Sequence, residues 1–271
     1  MTTPRRRFLA KLTCPGCGSA GLLDQPEGLG CTACRVTVPT LRGLPVFVPE
    51  AATAIEATSV EQELARSAGR FQGARRYSLE KAVMEVLNPK EDLPITPYLI
   101  GREVLDVACG PDVYHYDARV AALHAGIDVS VPFLLQAAAI RPASFFACAY
   151  AHRLPFVDGA FDVVLLLQAM HHLPQSHRQI LTEACRVARE RVIVYDHLQS
   201  SSGPKRWLKT VWWRLADRGV RYNTETEWRA VLKGFEIEAW RVTGRHLDNI
   251  LEFVVAGPGA CGDQPSDEPR R

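Results

Sequence analysis

The 271-residue sequence is short of the features that would commit it to a membrane, an extracellular scaffold or a polyanionic partner. No apolar run approaches the roughly 20 residues needed to cross a bilayer as a helix. Charge of one sign is missing as well. The 32 Lys and Arg against 30 Asp and Glu leave a net charge of +2, so no global field calls for nucleic acid. Arg5, Arg6 and Arg7 ahead of Phe8 and Leu9 superficially look like a twin-arginine export signal. Lys11 interrupts that apolar stretch, and neither a hydrophobic core nor a small-residue cleavage site follows, so a cytoplasmic protein is expected. A complete G-x-G-x-x-G fingerprint is absent too, which leaves a dinucleotide site poorly supported. The 8 cysteines do not form the dense framework of a small secreted domain. Four cluster at metal-ligand spacing and the others scatter, as in a reducing compartment.

What is present is organised around residues 103–130. Val104, Leu105 and Val107 form a short apolar run that suits a buried parallel strand. Gly110 and Pro111 break it, as at a sharp strand-to-helix turn, and about one helix's worth of residues follows. A second strand-like segment ends at Ile127 and Asp128, which puts a carboxylate 22 residues after Asp106. A tight turn, a helix N-terminus and an acid on the next strand make the layout of a nucleotide-type crevice. Gly110 permits close backbone approach, and Asp128 is placed to take ribose hydroxyls. A carboxylate at a strand's end is seldom there for packing, because burying it unpaired is costly.

Ahead of this stretch, Cys14 and Cys17 form one pair and Cys31 and Cys34 another, with 13 residues between the pairs. Two such pairs aim four thiolates at one tetrahedral ion, a closed structural zinc arrangement with no position left for a catalytic water. Residues 51–100 read as a helical connector, with a Ser78 start signal and a stop at Asn88 and Pro89. From residue 102 to 256 strand and helix signals alternate, predicting a doubly wound parallel sheet. The expected strands are 103–107, 124–128, 144–148, 161–167, 191–195, 235–241 and 250–256, the last two forming a terminal hairpin around Thr243 and Gly244. The tail after residue 257, rich in Pro, Asp, Gln, Ser and Glu, is expected to be disordered.

The stretch 103–130 resembles the first two motifs of class I S-adenosylmethionine (SAM)-dependent methyltransferases with a type 11-like domain, V-L-D-x-x-C-G-x-G followed by G-x-D-x-S. Residues 148–162, with Ala151, Leu154, Pro155, Phe156, Phe161 and Asp162, resemble the family's third motif, G-D-A-x-x-L-P-F followed by F-D-x-V. Residues 31–49 are similar to the small zinc-ribbon family fused to methyltransferases or activating them. The resemblance implies a seven-stranded Rossmann-like sheet, SAM as methyl donor and structural Zn2+ on Cys14, Cys17, Cys31 and Cys34. It places Asp106, Ala108, Gly110 and Asp112 near the methionine end of SAM, and Asp128 and Val129 near the ribose. Asp112 stands where the family has a further glycine, and it is either a ligand of the ammonium or an ordinary helix cap. Tyr150 replaces the acid that meets the adenine amino group in the family, with Ala151 beside it, and Gln168 would line the transferred methyl.

His171 and His172 follow the fourth strand at its C-terminal end, where crevice ligands sit. Either is a candidate general base, since imidazole titrates near neutral pH; alternatively one caps the next helix and the other packs. A basic helix over 205–214 carries Trp207, Trp212 and Trp213. It would line an apolar pocket, meet a membrane surface, stack on RNA bases, or simply pack as a cap. The segment 151–156 is similar to one in ribosomal RNA guanine-N1 methyltransferases, which keeps an RNA acceptor as the alternative. The balanced charge favours a small or lipid-like acceptor, and Asp112 and Tyr150 make a catalytically silent binding protein the third reading. The expected organisation is a zinc ribbon over 1–50, a connector or cap over 51–100, a methyltransferase domain over 101–257 with a cap insertion near 200–228, and a tail over 258–271.

Overall fold

The computed structural model describes residues 3–48, 95–111, 116–173, 176–200, 203–204, 206–207, 210–211, 222–245 and 248–257. Residues 51–94 of the connector expected over 51–100, Asp112, Trp212, Trp213 and the tail from 258 lie outside the described residues.

The chain opens with helix α1 (Pro4–Lys11), which the sequence had offered only as an export-signal lookalike. Its start is well specified. The Thr3 side chain accepts the Arg6 N–H, and Pro4 sits in the first turn, where its missing donor costs nothing. Four short strands follow as a small antiparallel sheet in chain order: β1 (Leu23–Gln25), β2 (Gly28–Gly30), β3 (Thr37–Leu41) and β4 (Leu44–Pro45). Gly28 is obligatory in this sheet, because its φ is +147° and a Cβ would lie 2.2 Å from the Val38 carbonyl oxygen.

The main sheet uses β5 (Glu103–Val107), β6 (Leu123–Asp128), β7 (Phe145–Cys148), β8 (Phe161–Leu167), β9 (Ala188–Leu198), β10 (Ile237–Arg245) and β11 (Asp248–Ala256). Their spatial order is β10-β11-β9-β8-β5-β6-β7. The β5–β6, β6–β7, β5–β8 and β8–β9 pairs are parallel, whereas β11 runs antiparallel to both β9 and β10. The expected Rossmann-like seven-stranded sheet with a reversed terminal strand is therefore present. The direction of winding changes between β5 and β8, so the carboxyl ends of β5, β6 and β8 open on a topological switch point. Phe161 to Leu167 reads as a near-continuous apolar run because β8 is covered on both faces.

Helices α2 (Thr96–Leu99), α3 (Val131–Ile140), α4 (His177–Val187) and α5 (Glu225–Val231) flank the sheet. α4 gives way directly to β9 at Ala188, with no loop between them. α5 begins with a capping box in which Thr224 and Glu227 satisfy each other's backbone donors.

Two expectations need correcting. In the connection 108–122 the only helix among the described residues is a 3-10 turn, Ala118–Val120, not an α-helix. Asp117 starts that turn by accepting the Arg119 N–H, and the chain is used instead to lay Tyr116 across the sheet. The terminal hairpin is real, but Thr243 and Gly244 are not its turn. Both lie in β10, opposite Ile250 and Asn249, and the connection falls between Arg245 and Asp248.

The N-terminal unit is built into the core of the main sheet. Phe8 stacks on Phe145 at 5.1 Å and meets Phe156 edge-on at 6.1 Å. Leu12, Leu22, Leu29 and Val38 share one buried cluster with Leu105, Val107 and Ile127. Past β4, Val46 bridges to Cys148 in parallel, and the Phe47 N–H donates to the Cys148 carbonyl at 2.8 Å, extending the sheet beyond β7. Charge reinforces the seam: Glu103, at the start of β5, binds Arg7, Lys11 and Arg189 at 2.6, 2.7 and 2.6 Å.

Candidate cofactor crevice and metal centre

In the N-terminal unit the four cysteine sulfurs lie within 4.8 Å of one another. The Cys14–Cys34 and Cys17–Cys31 sulfur separations are 3.4 and 3.6 Å. A tetrahedral zinc with ~2.3 Å Zn–S bonds requires sulfur edges of about 3.8 Å, so the donor set and spacing fit that ion. Two knuckle turns create the cluster. The Gly18 N–H returns to the Cys14 carbonyl and the Arg35 N–H to the Cys31 carbonyl, and both residues take positive φ. Glycine does this without strain in the first knuckle; Arg35 does it at a cost in the second.

The crevice forms where β5, β6 and β8 end. Past β5, Ala108 (φ +56°) and Gly110 (φ +61°) hold left-handed conformations, and past β8 so does Gln168 (φ +50°). Two non-glycine residues in this strained region at neighbouring strand ends mark a place where the surrounding structure dictates the backbone. A Cβ on Gly110 would meet nothing within 4 Å, so open space lies beside its backbone. The Asp128 carboxylate ties the crevice together. It accepts the Gly110 N–H at 3.0 Å and the Ser130 N–H at 2.8 Å. Burial pushes the Asp128 pKa up, while these backbone donors and the nearby His172 pull it back.

Asp106 lies beneath, 1% exposed, and burial raises its pKa to about 7. The Tyr116 hydroxyl donates to it at 2.6 Å. That hydroxyl also meets His124 Nε2 at 2.8 Å, and His124 Nδ1 meets the Ser144 hydroxyl at 2.9 Å. Burial together with the Arg141 charge holds His124 down at about 3, so its imidazole is neutral. Tyr116 and His124 were not foreseen as partners of Asp106.

The other expected site residues distribute as follows. Val129 is exposed at the rim beyond Asp128, and Ala151 is buried. Tyr150 packs against the cluster containing Val131, Leu134 and Cys148, with its ring 5.1 Å from His152. Asp112 is outside the described residues. His172 is exposed, while His171 is buried with its Nδ1 on the Asp196 carboxylate. Asp196 was missed, although a carboxylate near the end of an apolar strand carries the same signal that had singled out Asp106 and Asp128. Trp207 is 69% exposed and lies on a helical stretch whose Thr210 hydroxyl accepts from the Gln199 amide.

The sheet order and the crevice at its switch point give the chain a methyltransferase-like fold. Residues 105–195 match the family model described as a methyltransferase domain. An uncharacterised methyltransferase from Synechocystis sp. is 32% identical over 145 residues, covering 53% of this chain and 65% of the relative. The malonyl-(acyl-carrier protein) O-methyltransferase of Erwinia billingiae is 36% identical over 64 residues, 23% of this chain and 26% of the relative. The chain thus spans less than two thirds of the length of either curated relative. A crystal structure of a candidate methyltransferase from Bacillus halodurans C-125 superposes with a TM-score of 0.50 at 16% identity, over 66% of this chain and 98% of that one. That likeness establishes the fold.

Proposed function

We propose that the protein is a SAM-dependent methyltransferase acting on a small or lipophilic acceptor, with a structural zinc ion on Cys14, Cys17, Cys31 and Cys34. The observation that carries the reading is the Asp128 carboxylate bound to the Gly110 N–H, beside left-handed Ala108, within the segment that matches the methyltransferase model. It joins the close-approach turn and the diol-binding acid into one rigid unit. The reversed strand β11 adds support, since a plain dinucleotide fold has no need of it.

In this reading Asp128 and Val129 hold the ribose, Tyr150 and Ala151 flank the adenine, and Asp106, Ala108 and Gly110 surround the methionine end. A cationic ammonium beside Asp106 favours its ionised form against the burial that raises its pKa. Gln168 lines the acceptor side. Bound SAM supplies an electrophilic methyl group on a positively charged sulfur. The protein's contribution is to position the acceptor in line, exclude water and manage its proton. The zinc would fold the N-terminal unit and so support the shared core, with no part in the chemistry.

Among the described residues no helix is long and apolar enough to cross a membrane. The net charge of +2 alone puts the small acceptor ahead of RNA. The test is calorimetric titration with SAM. Asp128→Asn should weaken binding about 10-fold to 100-fold, the worth of one charge-assisted hydrogen bond. Unchanged affinity removes Asp128 from the site.

A further inference from the structure

A chain of hydrogen bonds leads away from Asp106. On the parallel β5–β6 ladder Val104 pairs with His124 and Asp106 with Gly126, so His124 and Asp106 share one face of the sheet. Tyr116 spans them, its hydroxyl 2.6 Å from the Asp106 carboxylate and 2.8 Å from His124 Nε2. His124 Nδ1 continues to the Ser144 hydroxyl at 2.9 Å, and Ser144, just ahead of β7, is partly exposed. Asp106 and His124 are 1% and 4% exposed, so the path runs from a sealed carboxylate to the surface. The Arg141 guanidinium lies over the Tyr116 ring, 5.0 Å from its centre. Among the charged and titratable neighbours of Asp106, Arg141 past α3 favours its ionised form and Asp128 at the end of β6 opposes it. Cys109 faces it from the turn past its own strand, and its neighbour on β8 is Leu165.

Two hydroxyls and a neutral imidazole each donate one hydrogen bond and accept another, so this chain has two directions. With Asp106 ionised, Ser144 donates to Nδ1, the Nε2–H donates to the Tyr116 oxygen, and Tyr116 donates to Asp106. With Asp106 protonated every bond reverses, and the imidazole carries its proton on Nδ1. We propose that Tyr116, His124 and Ser144 form a proton relay through which Asp106 ionises as the SAM ammonium binds, with Tyr116 as the positioning residue. The inference rests on the methyltransferase reading, in which Asp106 meets the methionine end. In the step, the Asp106 proton passes to the Tyr116 oxygen and the Tyr116 proton to His124 Nε2. The Nδ1 proton passes to the Ser144 oxygen, and the Ser144 proton to solvent. Each relay group ends with as many protons as it began, and one proton leaves the protein. Burial puts the Asp106 pKa at about 7, so at pH 7 about half a proton should leave per SAM bound. As pH falls through that value, SAM affinity should drop toward about tenfold per unit, because the free carboxyl is then protonated.

The experiment uses the full, zinc-loaded chain as wild type and as Tyr116→Phe, with SAM and 5′-methylthioadenosine as probes. The second probe keeps the adenosine and lacks the amino-acid end. Nitrogen-15 NMR at pH 6, with His124 assigned by its loss in His124→Gln, should show an Nδ1–H tautomer in the free wild type. Saturating SAM should convert it to Nε2–H, and methylthioadenosine should leave it unchanged. Calorimetry at pH 7 in phosphate and in HEPES, buffers of different ionisation heat, should count about half a proton released per SAM and none per methylthioadenosine. Tyr116→Phe should weaken SAM about 10-fold, keep methylthioadenosine within about twofold, and leave the His124 tautomer indifferent to SAM. One His124 tautomer with and without SAM, or no proton released, overturns the proposal. So does an equal loss of both probes in Tyr116→Phe, which would leave Tyr116 a structural role alone. Absence of SAM binding to the wild type would instead sink the underlying methyltransferase reading. If Tyr116→Phe fails to fold, the tautomer and the proton count of the wild type decide the question.

Discussion

Replacing Glu103 by Gln removes the charge on which Arg7, Lys11 and Arg189 converge, and so tests the seam between the N-terminal unit and the main sheet. Those cations draw the Glu103 pKa down to about 2 although burial, the largest single influence, pushes the other way. From an ordinary glutamate value, that depression corresponds by linkage to at most roughly 3 kcal/mol of stability. Solvent trims the figure. Glu103 and Lys11 are 15% and 12% exposed, but Arg7 and Arg189 are 39% and 42% exposed, so two of the three pairs are screened. The expected loss in Glu103→Gln at pH 7 is therefore about 1–2 kcal/mol. The sign with pH follows from the depressed value. The contribution is complete above the unfolded-state pKa near 4.3 and is lost as pH falls toward 2, because protonation then favours the unfolded chain. Urea denaturation at pH 7 and at pH 3 should show the gap between wild type and variant narrowing with acid. A gap below about 0.3 kcal/mol at pH 7, or one that does not change with pH, would refute the reasoning.

Three further outcomes are expected. Phe8→Ala should destabilise the whole protein by about 3–5 kcal/mol in a single transition, because Phe8 is stacked into the common core; a separate low-temperature transition for the N-terminal unit in calorimetry would count against one core. Ala108→Gly should raise stability by about 0.5–1 kcal/mol by relieving a left-handed alanine, which thermal melting would register; a lowered midpoint would show the conformation is not strained. Cys14→Ser should abolish stoichiometric zinc and lower the melting temperature of the entire chain; zinc retained at one ion per chain by atomic absorption would remove Cys14 from the centre.

Much of this architecture is legible in the chain. β5 and β8 begin and end where their apolar runs do, because central parallel strands are covered on both faces and their ends coincide with Gly, Pro or polar residues. The cysteine quartet is readable from spacing alone, since knuckle turns are local. What depends on distant partners is not. Nothing near Phe8 announces Phe145 and Phe156, so α1 reads as a loose basic segment until the sheet is assembled. Thr243 and Gly244 look like a turn, but their pairing across to Ile250 and Asn249 keeps them in β10. The His pair was visible as a motif, whereas its carboxylate partner Asp196 lies on the following strand, and only the parallel β8–β9 pairing brings the two together. The crossover after β5 misled for the opposite reason. Its local signals favour a helix, and a side-chain contact from Tyr116 back to Asp106 accompanies a 3-10 turn in its place.

The proposed SAM site lies at the carboxyl ends of β5, β6 and β8. The most direct measurement is isothermal titration of the full-length, zinc-loaded protein with SAM, with NAD in parallel as the dinucleotide control. Saturable binding of SAM, competed by S-adenosylhomocysteine, with no heat from NAD, is the expected result. No binding at millimolar SAM, or NAD binding as tightly as SAM, would contradict it.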